Sequence, residues 1–174
     1  MPGSTIGTIL NYGYPGGFAR NGDCIIASRL VKSTDAVGPS FGDPVVLNGD
    51  NTYSRFGASN TATQFAGVAV REVHQASDYY PSNGVYSPGQ PCDVIERGSV
   101  SVVCTEGTPA AGGSVYIVTV AGSGAVSAVG NLIANATPAG TGSTAIQLAN
   151  AKWATGQIDA NNVAELTILT RNNP

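Results

Sequence analysis

The chain has 174 residues, of which 11% are charged, and it contains 23 glycines and 10 prolines. A chain of this length fits one domain that buries roughly two-thirds of its unfolded surface, so its core needs no disulfide or metal. The net charge is −3 and the only lysines are Lys32 and Lys152, which argues against nucleic-acid binding through phosphate neutralisation.

The first 22 residues form a segment rich in glycine whose apolar side chains keep neither a helical nor a strand period. Glycine raises the cost of ordering such a segment, so its large side chains need a partner surface within the chain or on another molecule. We therefore predict an extended N-terminal arm, residues 1–22, followed by a single β-domain, residues 23–174.

Short runs of β-branched and apolar residues, separated by turn residues, follow the arm. This pattern predicts strands and an all-β fold, a small β-barrel or a β-sandwich. The predicted strands cover residues 24–31, 44–47, 65–71, 92–96, 99–104, 114–121, 144–148 and 163–170.

Two local features leave alternatives open. Arg97 and Gly98 separate two apolar runs and fit either a hairpin turn or, as we favour, a bulge or bend within one long strand. Residues 130–137 and 59–64 are helix candidates, but both are short and we expect loops or single turns there.

The three cysteines, Cys24, Cys92 and Cys104, are odd in number and lack CxxC spacing, which fits neither a disulfide framework nor a zinc site. We expect them to be small buried side chains in a reducing cytosol. The sequence shows neither an export signal nor a membrane span, so we expect no membrane partner.

His74 is the only histidine, which limits the chemistry that the chain can perform. We find no phosphate-binding loop, nucleophile elbow or metalloprotease motif, and the acidic residues form no calcium loop. We predict no catalytic, cofactor-binding or metal site and no enzymatic activity. The alternative of a small hydrolase would use His74 with carboxylates distant in sequence.

Aromatic side chains are the candidate contact residues, because tyrosine brings a large contact area with few rotatable bonds. On the arm we predict contacts with another subunit for Tyr12, Tyr14, Pro15 and Phe18. We predict a second contact surface from Tyr79, Tyr80 and Tyr86. Each ring could instead cover the edge of its own core.

An ordered series of short motifs along residues 12–170 resembles the capsid cement, or decoration, proteins of tailed bacteriophages. One departure is Gly113-Ser114, where such proteins often have a second Asp-Pro. The motifs are YPGGFA at 14–19, CIIASR at 24–29, GDPV at 42–45, FAGVAVR at 65–71, YSPGQPCDVIERGSV at 86–100, GGSVYI at 112–117 and AKWATG at 151–156.

The resemblance implies a virion structural protein, made in the host cytoplasm, that binds the capsid exterior. Its implied partners are the major capsid protein and other copies of itself, as a homotrimer that clamps neighbouring capsid proteins. The alternative function is a carbohydrate-binding module of a phage head or tail fibre, with tyrosines stacking on sugars.

Overall fold

In a computed structural model the protein is described for residues 12–71, 84–156 and 158–171. These residues form nine β-strands and one 3₁₀ turn, with no α-helix among them. The strands are β1 (Phe18–Leu30), β2 (Pro44–Leu47), β3 (Tyr53–Arg55), β4 (Phe65–Ala69), β5 (Pro91–Val103), β6 (Ser114–Val120), β7 (Leu132–Ile133), β8 (Thr144–Trp153) and β9 (Val163–Ile168).

All nine strands belong to one antiparallel sheet in the order β3-β2-β4-β5-β9-β8-β6-β7, with β1 paired to β5 outside this path. The sheet curls into a half-barrel. The predicted all-β class is therefore confirmed, in its barrel-like form. The first eleven residues of the predicted arm lie outside the described residues, and β1 begins at Phe18, within the predicted arm.

The long strand β5 organises the sheet, because β1, β4 and β9 all pair with it. Gly98 lies inside β5 with φ +122°, a conformation that glycine tolerates and other residues rarely adopt. A Cβ at this position would lie 2.9 Å from the Asp23 carbonyl oxygen of β1. The expected bend within one strand is confirmed, and Arg97 and Gly98 form no hairpin turn.

Neither of the two helix candidates forms an α-helix. Residues 59–64 contain a single 3₁₀ turn, Ala62–Gln64, where the Thr61 N–H donates to the Gln64 side-chain oxygen at 2.9 Å. Residues 130–137 contain β7 instead of a helix, because Leu132 and Ile133 pair with β6 and are buried.

One main core includes residues of both halves of the chain. It contains Phe65 and Val68 from the first half and Ile117, Leu148 and Trp153 from the second. Burial of such side chains stabilises the fold by roughly 1.5–3 kcal/mol each. A smaller cluster around Tyr53, Tyr86 and Val94 lies beside it.

The cysteine prediction is right at two positions and wrong at the third. Cys92 and Cys104 are buried, and burial raises the pKa of both thiols. Cys24 is exposed, because it lies where the pairing of β1 with β5 shifts between Arg20 and Ile25. All three are free thiols.

Candidate functional site: the base of the N-terminal arm

Residues 12–17, which we call the arm base, lead into β1 through a tight turn. The Gly17 N–H donates to the Tyr14 carbonyl oxygen at 3.0 Å, which closes a β-turn with Pro15 and Gly16 at its centre. Gly16 has φ +78°, as the third position of a type II turn requires, and proline favours the second position. The local sequence Tyr-Pro-Gly-Gly therefore specifies this turn.

Backbone hydrogen bonds fasten the turn to the half-barrel. The Gly16 N–H donates to the Ser101 carbonyl at 2.8 Å, and the Ser101 N–H donates to the Gly17 carbonyl at 2.9 Å. The Arg71 N–H, two residues beyond β4, donates to the Gly16 carbonyl oxygen at 3.1 Å. A Cβ on Gly16 would lie 2.9 Å from the Phe41 Cβ, so only glycine fits this close approach.

Tyr12 is anchored through its backbone as well. Its N–H donates to Asp159 Oδ2 at 3.1 Å, and its carbonyl oxygen accepts from Ser101 Oγ at 2.7 Å. Burial raises the pKa of Asp159, but N–H donors from Val163, Asn161 and Tyr12 outweigh it, and the net pKa lies below its ordinary value. The stability from this anchor is present at neutral pH and is lost as the pH falls through the folded-state pKa.

The anchored turn presents aromatic rings to solvent. Tyr14 is 53% exposed and Phe18 is 36% exposed. The guanidinium carbon of Arg71 lies 5.6 Å from the centroid of the Tyr14 ring, within the range of a cation–π contact. An open groove runs beside the rings and is lined by Tyr12, Gly13, Tyr14, Gly17, Phe18, Ala19, Arg20 and Ser101.

Arg20, one of the residues that line the groove, forms an ion pair. Arg20 binds Glu165 of β9 with Nε to Oε1 at 2.6 Å and Nη2 to Oε2 at 3.2 Å. The Glu165 side chain is 7% exposed whereas the Arg20 side chain is 72% exposed. Hydrogen bonding to Glu165 raises the pKa of Arg20. The carboxylate is therefore covered, and the guanidinium faces solvent.

The structure brings together the four predicted contact residues of the arm. Tyr12, Tyr14 and Phe18 line the groove, and Pro15 lies half-buried in the turn against Gly42. Sequence reasoning missed Arg71, Ser101 and Asp159, because nothing in the sequence shows which distant residues meet the arm. It also missed Arg20, whose partner Glu165 is equally distant in the sequence.

The second predicted surface is described only at Tyr86. Its ring packs edge-on against Phe41 with centroids 5.2 Å apart, its hydroxyl donates to the Val70 carbonyl oxygen, and 5% of the residue is exposed. Tyr79, Tyr80 and His74 lie outside the described residues. A contact surface formed by these tyrosines stays a prediction.

No group of three or more His, Cys, Asp or Glu side chains among the described residues could hold a metal ion. No helix in this part of the chain is long and apolar enough to cross a membrane.

A family model and a solved structure that resemble the chain both come from phage structural proteins. A family model described as "Structural cement protein (E217 gp24/Pam3 gp6)" matches residues 2–169. A chain in a structure titled "The capsid of Myoviridae Phage XM1" shares 20% sequence identity with a TM-score of 0.67, over 94% of each chain. That likeness establishes a shared fold. No curated protein matches the chain.

Proposed function

Because the chain belongs to the structural cement protein family and is thus a structural protein of a phage capsid, we propose that it decorates the capsid exterior and clamps neighbouring major capsid proteins. In this proposal it acts as a homotrimer, is made in the host cytoplasm and performs no catalysis. Residues 1–22 serve as its arm and residues 23–174 as its β-domain.

The observation that carries the proposal is the anchored arm base with its exposed rings. Hydrogen bonds with Ser101, Arg71 and Asp159 hold the backbone of residues 12–17, while Tyr14 and Phe18 face solvent. A contact surface that is ordered before binding loses less conformational entropy when a partner covers it. Exposed aromatic rings on a fixed backbone are typical of residues that dominate interface energies.

Cementing of this kind works through area and multiplicity. A stable interface buries roughly 1,600 Å² in total, which a half-barrel of this size can supply together with its arm. In a trimer the second and third contacts form at high effective concentration once the first has formed, so modest individual contacts give tight decoration. Such a clamp resists internal pressure without any chemical step.

A double substitution tests the proposal. Tyr14→Ala with Phe18→Ala should weaken binding to heads assembled without this chain by roughly 10- to 100-fold, because two anchoring rings are lost. Both rings are exposed, so the melting temperature of the free protein should change little. Binding is measured as occupancy of purified heads against protein concentration.

The matched control replaces two other exposed apolar side chains, Val126→Ala with Leu169→Ala, which are 71% and 48% exposed. This control should bind within about twofold of the native protein. Saturation of heads by the Tyr14 and Phe18 double variant at native concentrations would contradict the proposed contact.

A carbohydrate-binding role is the second candidate, and the exposed Tyr14 ring beside an open groove favours it. Saturable binding of the isolated protein to a glycan array, lost in Tyr14→Ala, would support this candidate. Tight binding to heads that carry no glycan would favour the cement role.

A further inference from the structure

The cations of the chain are distributed unevenly between paired and unpaired positions. Five of the eight lysine and arginine side chains form ion pairs with described carboxylates: Arg20, Arg29, Arg55, Arg97 and Arg171. The other three are Lys32, Arg71 and Lys152. Both lysines are half-buried, whereas Arg71 is exposed. Arg71 is thus the exposed cation without an ion pair in the described part of the chain.

Arg71 is also held in position at both ends. Its backbone N–H donates to the Gly16 carbonyl oxygen at 3.1 Å, and its guanidinium lies over the Tyr14 ring. Stacking on a ring restricts a flexible side chain while its N–H donors remain available at the edge of the guanidinium plane. The donors are therefore pre-positioned beside the exposed arm base.

The two described carboxylates that bind the arm base or Arg20 already have hydrogen-bond partners. Asp159 is 5% exposed and accepts the Tyr12 N–H, and Glu165 is 5% exposed and accepts both Arg20 donors. Among the described residues, the exposed charged groups that line the groove or lie over its Tyr14 ring are the guanidinium groups of Arg20 and Arg71, although the whole chain has a net charge of −3. A partner covering this surface gains from a negative charge opposite Arg71.

We propose that Arg71 binds an acidic side chain of the capsid protein, with the Tyr14 ring as the platform that holds the guanidinium in place. This inference rests on the proposed function and specifies the chemistry of its partner surface. A guanidinium binds a carboxylate through two parallel N–H donors, which fixes orientation as well as adding affinity. The capsid protein should thus present an Asp or Glu at the contact with the arm base.

Charge substitutions at Arg71 test the inference on heads assembled without this chain. Arg71→Gln should weaken binding roughly tenfold, and Arg71→Glu should weaken it further by like-charge repulsion. Binding of the native protein should weaken as NaCl rises from about 50 to 300 mM, and Arg71→Gln should flatten this dependence. Arg71→Lys should keep the salt dependence because it keeps the charge.

The control variant is Lys152→Gln, which removes another cation that has no described ion pair and should bind like the native protein. Native affinity and native salt dependence in Arg71→Gln would overturn the inference, and so would weaker binding with an unchanged salt dependence. If the Tyr14 and Phe18 double variant loses binding, the proposed function stands whichever of these two results Arg71→Gln gives. Native binding by the double variant and by Arg71→Gln would overturn both.

Discussion

The arm base and the region from β6 to β8 differ in the way they use charge. Around the arm base, Arg20 and Arg71 present guanidinium groups beside exposed rings. The carboxylates of Asp159 and Glu165 are buried there, and they bind Tyr12 and Arg20. Between Glu106 and Lys152 no residue carries a charge, although this stretch contains β6, β7 and most of β8. The few charges of the chain are therefore concentrated away from one large part of the half-barrel.

In the uncharged region, hydroxyl groups form the side-chain hydrogen bonds that ion pairs provide near the arm base. Thr119 Oγ1 lies 2.9 Å from Thr144 Oγ1, and the Ser143 hydroxyl donates to the Ala139 carbonyl oxygen at 2.7 Å. Such neutral hydrogen bonds are insensitive to pH near neutrality and only weakly sensitive to salt, unlike the ion pairs near the arm. In our proposal the binding surface is distinguished by the exposed guanidinium groups of Arg20 and Arg71, and not by the low charge of the chain as a whole.

The strand β5, which holds the arm base, nevertheless shares one core with β6, β7 and β8, and the largest expected effect tests this link. Trp153→Ala should lower the free energy of unfolding by about 3–5 kcal/mol, because it empties a site that is 1% exposed within the shared core. Urea unfolding should show one cooperative transition in both proteins. Two separate transitions would show that the regions fold independently.

Trp153→Phe is the matched control for this prediction. The indole N–H has no hydrogen-bond partner in the described part of the chain, so phenylalanine removes no bond and leaves a smaller void. It should lower the free energy of unfolding by less than about 2 kcal/mol. A loss as large as that of Trp153→Ala would show that volume does not explain the effect.

A substitution in the arm base should have a smaller effect on the free energy of unfolding than Trp153→Ala. Gly16→Ala should lower the free energy of unfolding by about 2–3 kcal/mol, because its Cβ meets Phe41 and the Ala69 carbonyl oxygen at positive φ. Binding to heads should weaken as well, since Tyr14 is no longer held. Both quantities are measured by urea titration and head occupancy.

Gly13→Ala separates the cost of positive φ from the cost of a steric clash between the new Cβ and neighbouring atoms. Gly13 also has positive φ, but a Cβ there meets no atom within 4 Å. It should cost about 1 kcal/mol and leave head binding close to native. Equal losses for the two variants would show that the Gly16 approach to β4 does not hold the arm base.

Local signals explain the parts of the fold that the sequence predicted well. The bounds of β2 match the predicted residues 44–47, because a glycine turn and a short apolar run mark them directly. In contrast, β3 and β7 contain three and two residues, too few to show a period, and they are strands because neighbouring strands pair with them. Pairing partners of this kind cannot be identified from one sequence.

The candidate site likewise contains some residues that local sequence specifies and others that only the folded sheet brings together. Tyr14, Pro15 and Gly16 specify their turn locally, so the arm base could be singled out from the sequence. Asp159 and Ser101 reach the arm only through the folded sheet, far along the chain, and no spacing rule connects them with Tyr12. Their identification required the structure.

A cryo-EM reconstruction of heads incubated with the protein tests the central claim most directly. We expect density for the half-barrel on the outer surface at local threefold positions, with Tyr14, Phe18 and Arg71 facing the capsid protein. Density on the inner surface, or an arm base that faces solvent in the bound protein, would contradict the account.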